Sequence, residues 1–387
     1  MRTLFSVVFL IVVGATSVPL GRVAIHAQRK MGRSFSRDSL VETVRERFPF
    51  KMRFVELSGA VARLCGRRLC NKRLRYGSGV VGNLHWPGPL DDFRWQEALV
   101  RMVRLKSELA MDGFPFLYVM VPNKLDLEGH LYPSGWRGAN RNREAGTFLE
   151  RAREKGIEVL NLAPILVKTP KDVVRNYFRT DHHWKFRAAL RASALVAGRL
   201  AVLLKEPHLA NCSNLNPENW EWHVKRAFFI GSQGRRTGKL FSGADDFEYA
   251  YPKFRTQLSR TIPSRKFKVS GDFRKSETLL RCLKSGNEYL SRYAFYTGGD
   301  VDVQVHTNAK APSRHRVMIV KDSFGNPLSA FLATVFRSVI QVDPRKLAPG
   351  VSVRDLANRY RPDIVVEVAN PGLLLGQVDG LRYEELR

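Results

Sequence analysis

Arg316-Val-Met-Ile-Val-Lys-Asp-Ser-Phe-Gly325 is a short apolar run that passes straight into a polar turn. The part from Arg316 to Val320 is brief and rich in β-branched residues, so it reads as a buried strand. A helix is expected next, from about Asn326 to Phe336. A strand over Ser338 to Val342, a helix over Val353 to Tyr360 and a last strand over Asp363 to Val368 complete the pattern. Regular alternation of this kind implies a parallel sheet in a three-layer α/β/α domain. Sites in such domains lie at the carboxyl ends of the strands, where Asp322 and Ser323 fall.

The same alternation is found upstream. Phe114-Pro-Phe-Leu-Tyr-Val-Met-Val-Pro122 reads as a second buried parallel strand whose end delivers Asn123, Lys124 and Asp126. A helix from about Arg141 to Lys155 leads to a strand over Ile157 to Leu162, a βαβ unit. Apolar residues at helical spacing from Asp38 to Phe48 and from Trp95 to Met111 predict surface helices. Thr180 and Asp181 are positioned to cap a long helix from about His183 to Leu204, which puts His183 in its first turn. Between Pro207 and Gly299 the chain is dense in Asn, Gly, Pro and aromatic residues, as in Trp220-Glu-Trp222 and Phe247-Glu-Tyr-Ala-Tyr251. That stretch reads as an irregular, β-containing insertion. The expected organisation is therefore a leader at 1–27, the α/β domain at 28–206 and 301–387, and the insertion or cap at 207–300.

A chain of 387 residues can bury a large core. Met1-Arg2 followed by an uncharged, largely apolar stretch from Thr3 to Gly21 has the layout of a secretory signal or a single membrane anchor. Either reading predicts export to the cell envelope or the extracellular space, and whether the segment is cleaved or retained stays open. Cys65, Cys70, Cys212 and Cys282 lack zinc spacing; Cys65 with Cys70 is the most local pairing, and scattered buried thiols are the plainer alternative. Lysine and arginine number 64 against 36 acidic residues, a net charge of +28, with eleven basic and three acidic residues between Lys253 and Arg292. Such an excess favours an anionic glycan or lipid surface for an exported chain, and a solvated basic face is the bland reading. Nucleic-acid binding would rest on charge alone, and export argues against it.

Ser323 sits between a strand and a helix, where a turn lifts its hydroxyl above the sheet edge and helix-start amides face a developing oxyanion. A serine in that place is commonly just a cap. Asp181 and His183 change the balance, because a carboxylate two residues from an imidazole can hold one ring nitrogen while the other faces a serine hydroxyl. His182 is the rival base, but neighbours in an extended turn point apart. A divalent metal on Asp181-His-His183 is the competing chemistry. Its lead-in, Asn176-Tyr-Phe-Arg-Thr180, is no apolar strand, and only Asp300 with Asp302 forms a comparable pair, so neither metal nor cofactor is expected. Asn123, Lys124, Asn308 and Gly325 are candidates for a second oxyanion donor or a substrate contact, with turn chemistry as the plainer account.

With Thr180-Asp-His-His-Trp184 and Asp322-Ser-Phe-Gly325 in hand, the chain resembles bacterial DHHW proteins. More distantly it is similar to the SGNH hydrolase-like domains of alginate O-acetylation proteins. Val121-Pro-Asn-Lys124, Phe229-Ile-Gly-Ser232 and Arg292-Tyr-Ala-Phe-Tyr-Thr-Gly-Gly299 add to the likeness, which spans roughly Phe54 to Val368. The resemblance implies a circularly permuted SGNH-like domain with Asp181, His183 and Ser323 as the triad. It also implies transfer or removal of acetyl groups on an exported polysaccharide, beside a membrane-bound O-acyltransferase that supplies the acyl group. Lys321 departs from the glycine that related hydrolases place before the Asp-Ser pair, and no standard glycine block is assigned. The alternative from another class is a non-catalytic basic envelope protein that binds anionic glycan or lipid headgroups.

Overall fold

The computed structural model describes residues 51–83, 92–124 and 141–370. The leader expected at 1–27 and the helix expected from Asp38 to Phe48 lie outside them. In chain order the strands are β1 (Leu69–Cys70), β2 (Arg73–Arg75), β3 (Val81–Asn83), β4 (Phe116–Met120), β5 (Glu158–Asn161), β6 (Trp220–Phe229) and β7 (Asp245–Pro252). They continue as β8 (Leu258–Ile262), β9 (Phe267–Gly271), β10 (Val303–Asn308), β11 (Ser313–Lys321), β12 (Phe336–Val342) and β13 (Ile364–Ala369).

Eight of these strands form the main sheet in the order β5-β4-β13-β11-β12-β10-β8-β9. From β5 to β12 all neighbours pair in parallel. Burial explains why: Phe116–Met120, Val317 to Lys321 and Ile364–Ala369 are buried on both faces, which only helices on both sides of a sheet can achieve. Alternate residues of each strand feed two cores. Leu117, Val119, Val317, Ile319, Ile364 and Val366 pack beneath the helices Phe186–Leu203 and Gly325–Leu332, while Tyr118, Met120, Met318, Val320 and Val365 pack beneath Asp92–Met111, Arg141–Glu154 and Val353–Tyr360.

The other end of the sheet differs from a purely parallel expectation. β10 pairs antiparallel with β12, β8 with β10 and β9 with β8. Thus part of the segment read as an insertion, Leu258 to Gly271, extends the main sheet, while β6 and β7 form a separate antiparallel pair. The inward face of that end carries Gln304, His306 and Arg260, all buried, so its hydrophobic alternation is broken. His306 Nδ1 lies 2.7 Å from the equally buried Glu277.

The long helix begins at Phe186 after an extended Lys185, with no side-chain cap. Thr180 and Asp181 therefore do not cap it, because their side-chain oxygens are spent elsewhere. His183 lies before the helix, in a loop closed by the antiparallel bridge Tyr177 to Trp184. All four cysteines are free. No helix among the described residues is long and apolar enough to cross a membrane.

Candidate active site

Strand β11 ends at Lys321, and the chain turns through Asp322 and Ser323 into the helix Gly325–Leu332. Asp322 is what shapes the turn. One of its carboxylate oxygens accepts from the Phe324 amide at 2.8 Å and the other from the Asn370 amide at 2.9 Å, which ties the ends of β11 and β13 together. Burial raises the Asp322 carboxyl above its ordinary value even though both amides favour the charged form.

His183 reaches this turn from a segment 140 residues earlier: its Nε2 lies 2.6 Å from Ser323 Oγ and its Nδ1 2.5 Å from Asp181 Oδ1. Asp181 Oδ1 also accepts from the His183 amide at 2.9 Å, and Oδ2 accepts from the Ser232 amide at 2.6 Å. Burial by itself would raise the Asp181 carboxyl, yet His183, His182 and the Ser232 amide hold it well below the usual carboxylate range. The pair His183 and Asp181 is buried, and an aromatic wall shields it. Tyr293 stacks on the imidazole at 3.8 Å with a 10° tilt, while Phe324 lies 5.0 Å from it and meets Trp184 edge-on at 5.4 Å.

The histidine loop has no strand or helix of its own and is held by side-chain bonds. Asp245, at the start of β7, accepts from the Thr180 amide at 2.8 Å, from Thr180 Oγ1 at 2.6 Å and from the Arg179 amide at 2.8 Å. Thr180 Oγ1 in turn accepts from the Gly231 amide at 2.8 Å. Gly231 is required there, because a Cβ would stand 2.6 Å from Asp181 Oδ2. Lys124, buried after β4, donates to the carbonyls of Val81, Arg179 and Asp181 at 3.1, 2.9 and 2.6 Å. Its ammonium is thus used up by backbone, which corrects the expectation of a substrate contact; burial lowers it to about 8.

Two other expectations are placed differently. Asn308 ends β10, which runs against the parallel strands, so it emerges at the edge of the sheet opposite Ser323. There it donates to Ala333 O at 3.0 Å, and it cannot serve the oxyanion. Gly325 is not a donor either, because its amide is committed to Asp322 O at 3.1 Å; the next amide, of Asn326, goes to Ser323 O at 3.3 Å, and Pro327 has none. Of the amides of this turn and the helix start, that of Ser323 is the one left without such a partner. Asn123, half-buried, lies three residues past the end of β4, beside Lys124 and at the same edge as Ser323, where the sequence places it.

Asp181, His182 and His183 are the group among the described residues whose ligand atoms lie near enough to hold a metal, within 4.8 Å of one another. The donor set fits a metal poorly. Both Asp181 oxygens and both His183 nitrogens are engaged as above, and His182 Nδ1 pairs with Ser232 Oγ at 2.8 Å. Chemically the arrangement can do what a Ser-His-Asp triad does, since it offers a hydroxyl, a base in contact with it and a buried carboxylate that fixes the base's tautomer.

Fold and site together describe an α/β protein with a mostly parallel sheet and a Ser-His-Asp cluster beyond the carboxyl ends of its strands. Residues 89–221 match the family described as SGNH hydrolase-like domain, acetyltransferase AlgX. Among solved structures, PatB1 of Bacillus cereus is similar with a TM-score of 0.61 at 17% identity, covering 76% of this chain and 94% of that one. A DHHW family protein of Eubacterium siraeum follows with a TM-score of 0.60 at 16% identity, covering 80% of this chain and 93% of that one. PatB1 with a sulfonyl adduct gives a TM-score of 0.60 at 14% identity, covering 78% and 94%. No curated protein matches the chain in sequence. The chain thus shares its fold with PatB1 and the DHHW protein, and its resemblance to SGNH-like acetyltransferase domains extends beyond the motifs.

Asp245, Gly231, Ser232 and Tyr293 were not assigned roles from sequence. Gly231 and Ser232 lie in Phe229-Ile-Gly-Ser232, and Tyr293 in the Arg292 to Gly299 motif, so the resemblance marked the segments without saying what they do. Asp245 carries no local signal at all.

Proposed function

We propose that this chain is an exported serine-dependent O-acyltransferase or esterase that moves acetyl groups on a cell-envelope or secreted polysaccharide. The observation that carries the reading is the continuous contact from Ser323 Oγ to His183 Nε2 at 2.6 Å and from His183 Nδ1 to Asp181 at 2.5 Å. His183 takes the Ser323 proton as Oγ attacks the acyl carbonyl, and Asp181 stays ionised to stabilise the imidazolium. The Ser323 amide donates to the oxyanion. Collapse of the tetrahedral species expels the donor's alcohol or other leaving group, which collects the proton from His183 and leaves an acetyl-serine. An acceptor hydroxyl then gives its proton to His183, attacks the acetyl-serine and frees Ser323. A sugar hydroxyl as acceptor makes the chain a transferase, and water makes it an esterase.

The net charge of +28 favours an anionic glycan, and the apolar Thr3 to Gly21 segment supports placement outside the cytoplasm. A membrane-bound O-acyltransferase is the fitting acyl source. The sulfonyl adduct belongs to PatB1, and the same reagent class is a suitable probe of Ser323 here. The test supplies an acetyl ester together with neutral or uronic-acid oligosaccharides and follows both acetylated sugar and free acetate. Acetyl transfer or release that requires Ser323 and His183 supports the proposal. Salt-sensitive glycan binding without turnover, unchanged in Ser323→Ala and His183→Ala, would favour the non-catalytic binder.

A further inference from the structure

The segment Arg292 to Asp300 touches both halves of the site. At its first end Arg292 is 2% exposed and bonded to backbone from all three nitrogens: Nε donates to Phe228 O at 2.9 Å, Nη1 to Cys282 O at 2.8 Å, and Nη2 to Asn287 O at 3.1 Å. Its guanidinium also lies 3.8 Å over the Phe228 ring. The next residue, Tyr293, is the one whose ring lies flat on His183. Further on, Tyr296 exchanges two hydrogen bonds with Ala250, at 2.9 and 2.8 Å, so the middle of the segment is pinned to β7.

The segment then bends sharply. Thr297, Gly298 and Gly299 all have positive φ, at 61°, 83° and 98°. A buried β-branched residue in the left-handed region is costly and persists only where its surroundings hold it, here by the Thr297 amide donating to Glu277 O at 2.8 Å. The bend delivers Asp300 beneath the nucleophile turn. Asp300 Oδ1 accepts from Lys321 Nζ and from Asn326 Nδ2, both at 2.9 Å, and Oδ2 faces Arg345 at 3.1 Å. Lys321 precedes Ser323 by two positions and Asn326 follows it by three, so one carboxylate grips the turn from both flanks. Gly325 makes room for this, since a Cβ there would lie 2.9 Å from Lys321 Cγ. The lysine that departs from the expected glycine is therefore matched by Asp300 and Asp343, both of which also pair with Arg345.

We propose that Arg292 to Asp300 is a strap that sets the register between base and nucleophile, with Tyr293 and Asp300 as its two positioning residues. Neither acts on the substrate. Tyr293 fixes the plane of the His183 ring, and Asp300 fixes the turn that aims Ser323 Oγ at it. The proposal rests on the acyl-serine reading above.

The probe is phenylmethylsulfonyl fluoride on the full chain: Ser323 Oγ forms a bond to sulfur, fluoride leaves, and the serine proton passes to His183 and then to solvent. Rates are taken per folded molecule, with near-ultraviolet circular dichroism as the check. Asp300→Ala and Tyr293→Ala are expected to lower kinact by about 10- to 100-fold, the size of effect that slight misalignment produces, with KI within about twofold of the parent. Tyr293→Phe, which keeps the stack, is expected to restore the rate. Should Asp300→Ala not fold, the double variant Asp300→Asn with Lys321→Met removes the grip without stranding a charge and is expected to show the same fall in kinact. Variants that label at the parent rate, or a Tyr293→Phe chain as slow as Tyr293→Ala, overturn the strap alone. A parent chain that takes no label on Ser323 overturns the acyl-serine reading and the strap with it.

Discussion

The serine and the histidine reach the site by different means. Ser323 stands just past the end of β11, which lies between β13 and β12 among five parallel strands and is buried on both faces from Val317 to Lys321, so its place follows from the sheet. His183 stands in the loop between the short helix Pro170–Asn176 and the long helix Phe186–Leu203, and its place follows from particular bonds made by Asp245, Gly231, Ser232 and Lys124. A strand end tolerates many neighbours because its position is set by dozens of dispersed contacts. A bonded loop depends on a few polar groups, each of which leaves an unpaired partner when lost. Mutations in the two arms should therefore fail in different ways.

The largest effect is expected on the serine arm, without loss of fold. Ser323→Ala should lower kcat by about 10⁶-fold while its thermal midpoint stays near that of the parent, checked by ester turnover and calorimetry. On the histidine arm Asp181→Asn should lower kcat by about 10⁴-fold, because the amide favours the wrong imidazole tautomer. It should also weaken the loop, since an amide group cannot match the three N–H donors that now point at the carboxylate. Equal stability of the two variants would break the comparison.

Smaller effects sharpen it. Gly231→Ala forces Asp181 to move and is expected to cost about 10- to 100-fold in kcat with little change in KM, measured by steady-state kinetics. Asp245→Ala strands the Thr180 and Arg179 donors and should destabilise the chain by about 2–4 kcal/mol in urea unfolding. The smallest is a pH effect at Asp300. Burial would raise this carboxyl, but Lys321 and Arg345 bring it well below its ordinary value of 3.8. A carboxyl depressed by folding stabilises above its unfolded value and loses that contribution as pH falls through its folded one. The stability gap between the parent and Asp300→Asn should thus be flat from about pH 7 to pH 5 and shrink below about pH 4.

What could be read in the sequence follows the same division. The parallel strands are continuous apolar runs, and β4, β5, β11, β12 and β13 fall within a few residues of their expected places. The antiparallel end was hidden because buried Arg260, Gln304 and His306 interrupt the pattern that marks a strand. Ser323, His183 and Asp181 were legible as residue types at suggestive spacing, and the structure brings them together. Their supports were not. Asp245 acts across 65 residues through two backbone amides, and a bond of that kind leaves no periodicity. Thr180 and Asp181 looked like helix caps because a cap and a loop clamp use the same side chains, and only the fold decides which amides they meet.

The most direct test of the central claim is mass spectrometry of the Ser323 peptide after brief incubation of the full chain with an acetyl ester. Acetyl mass on Ser323 in the parent, absent from Ser323→Ala and from His183→Ala, is the result expected. Acetyl mass that persists when Ser323 is replaced, or a folded parent that never acquires it while still turning over the ester, would contradict the account.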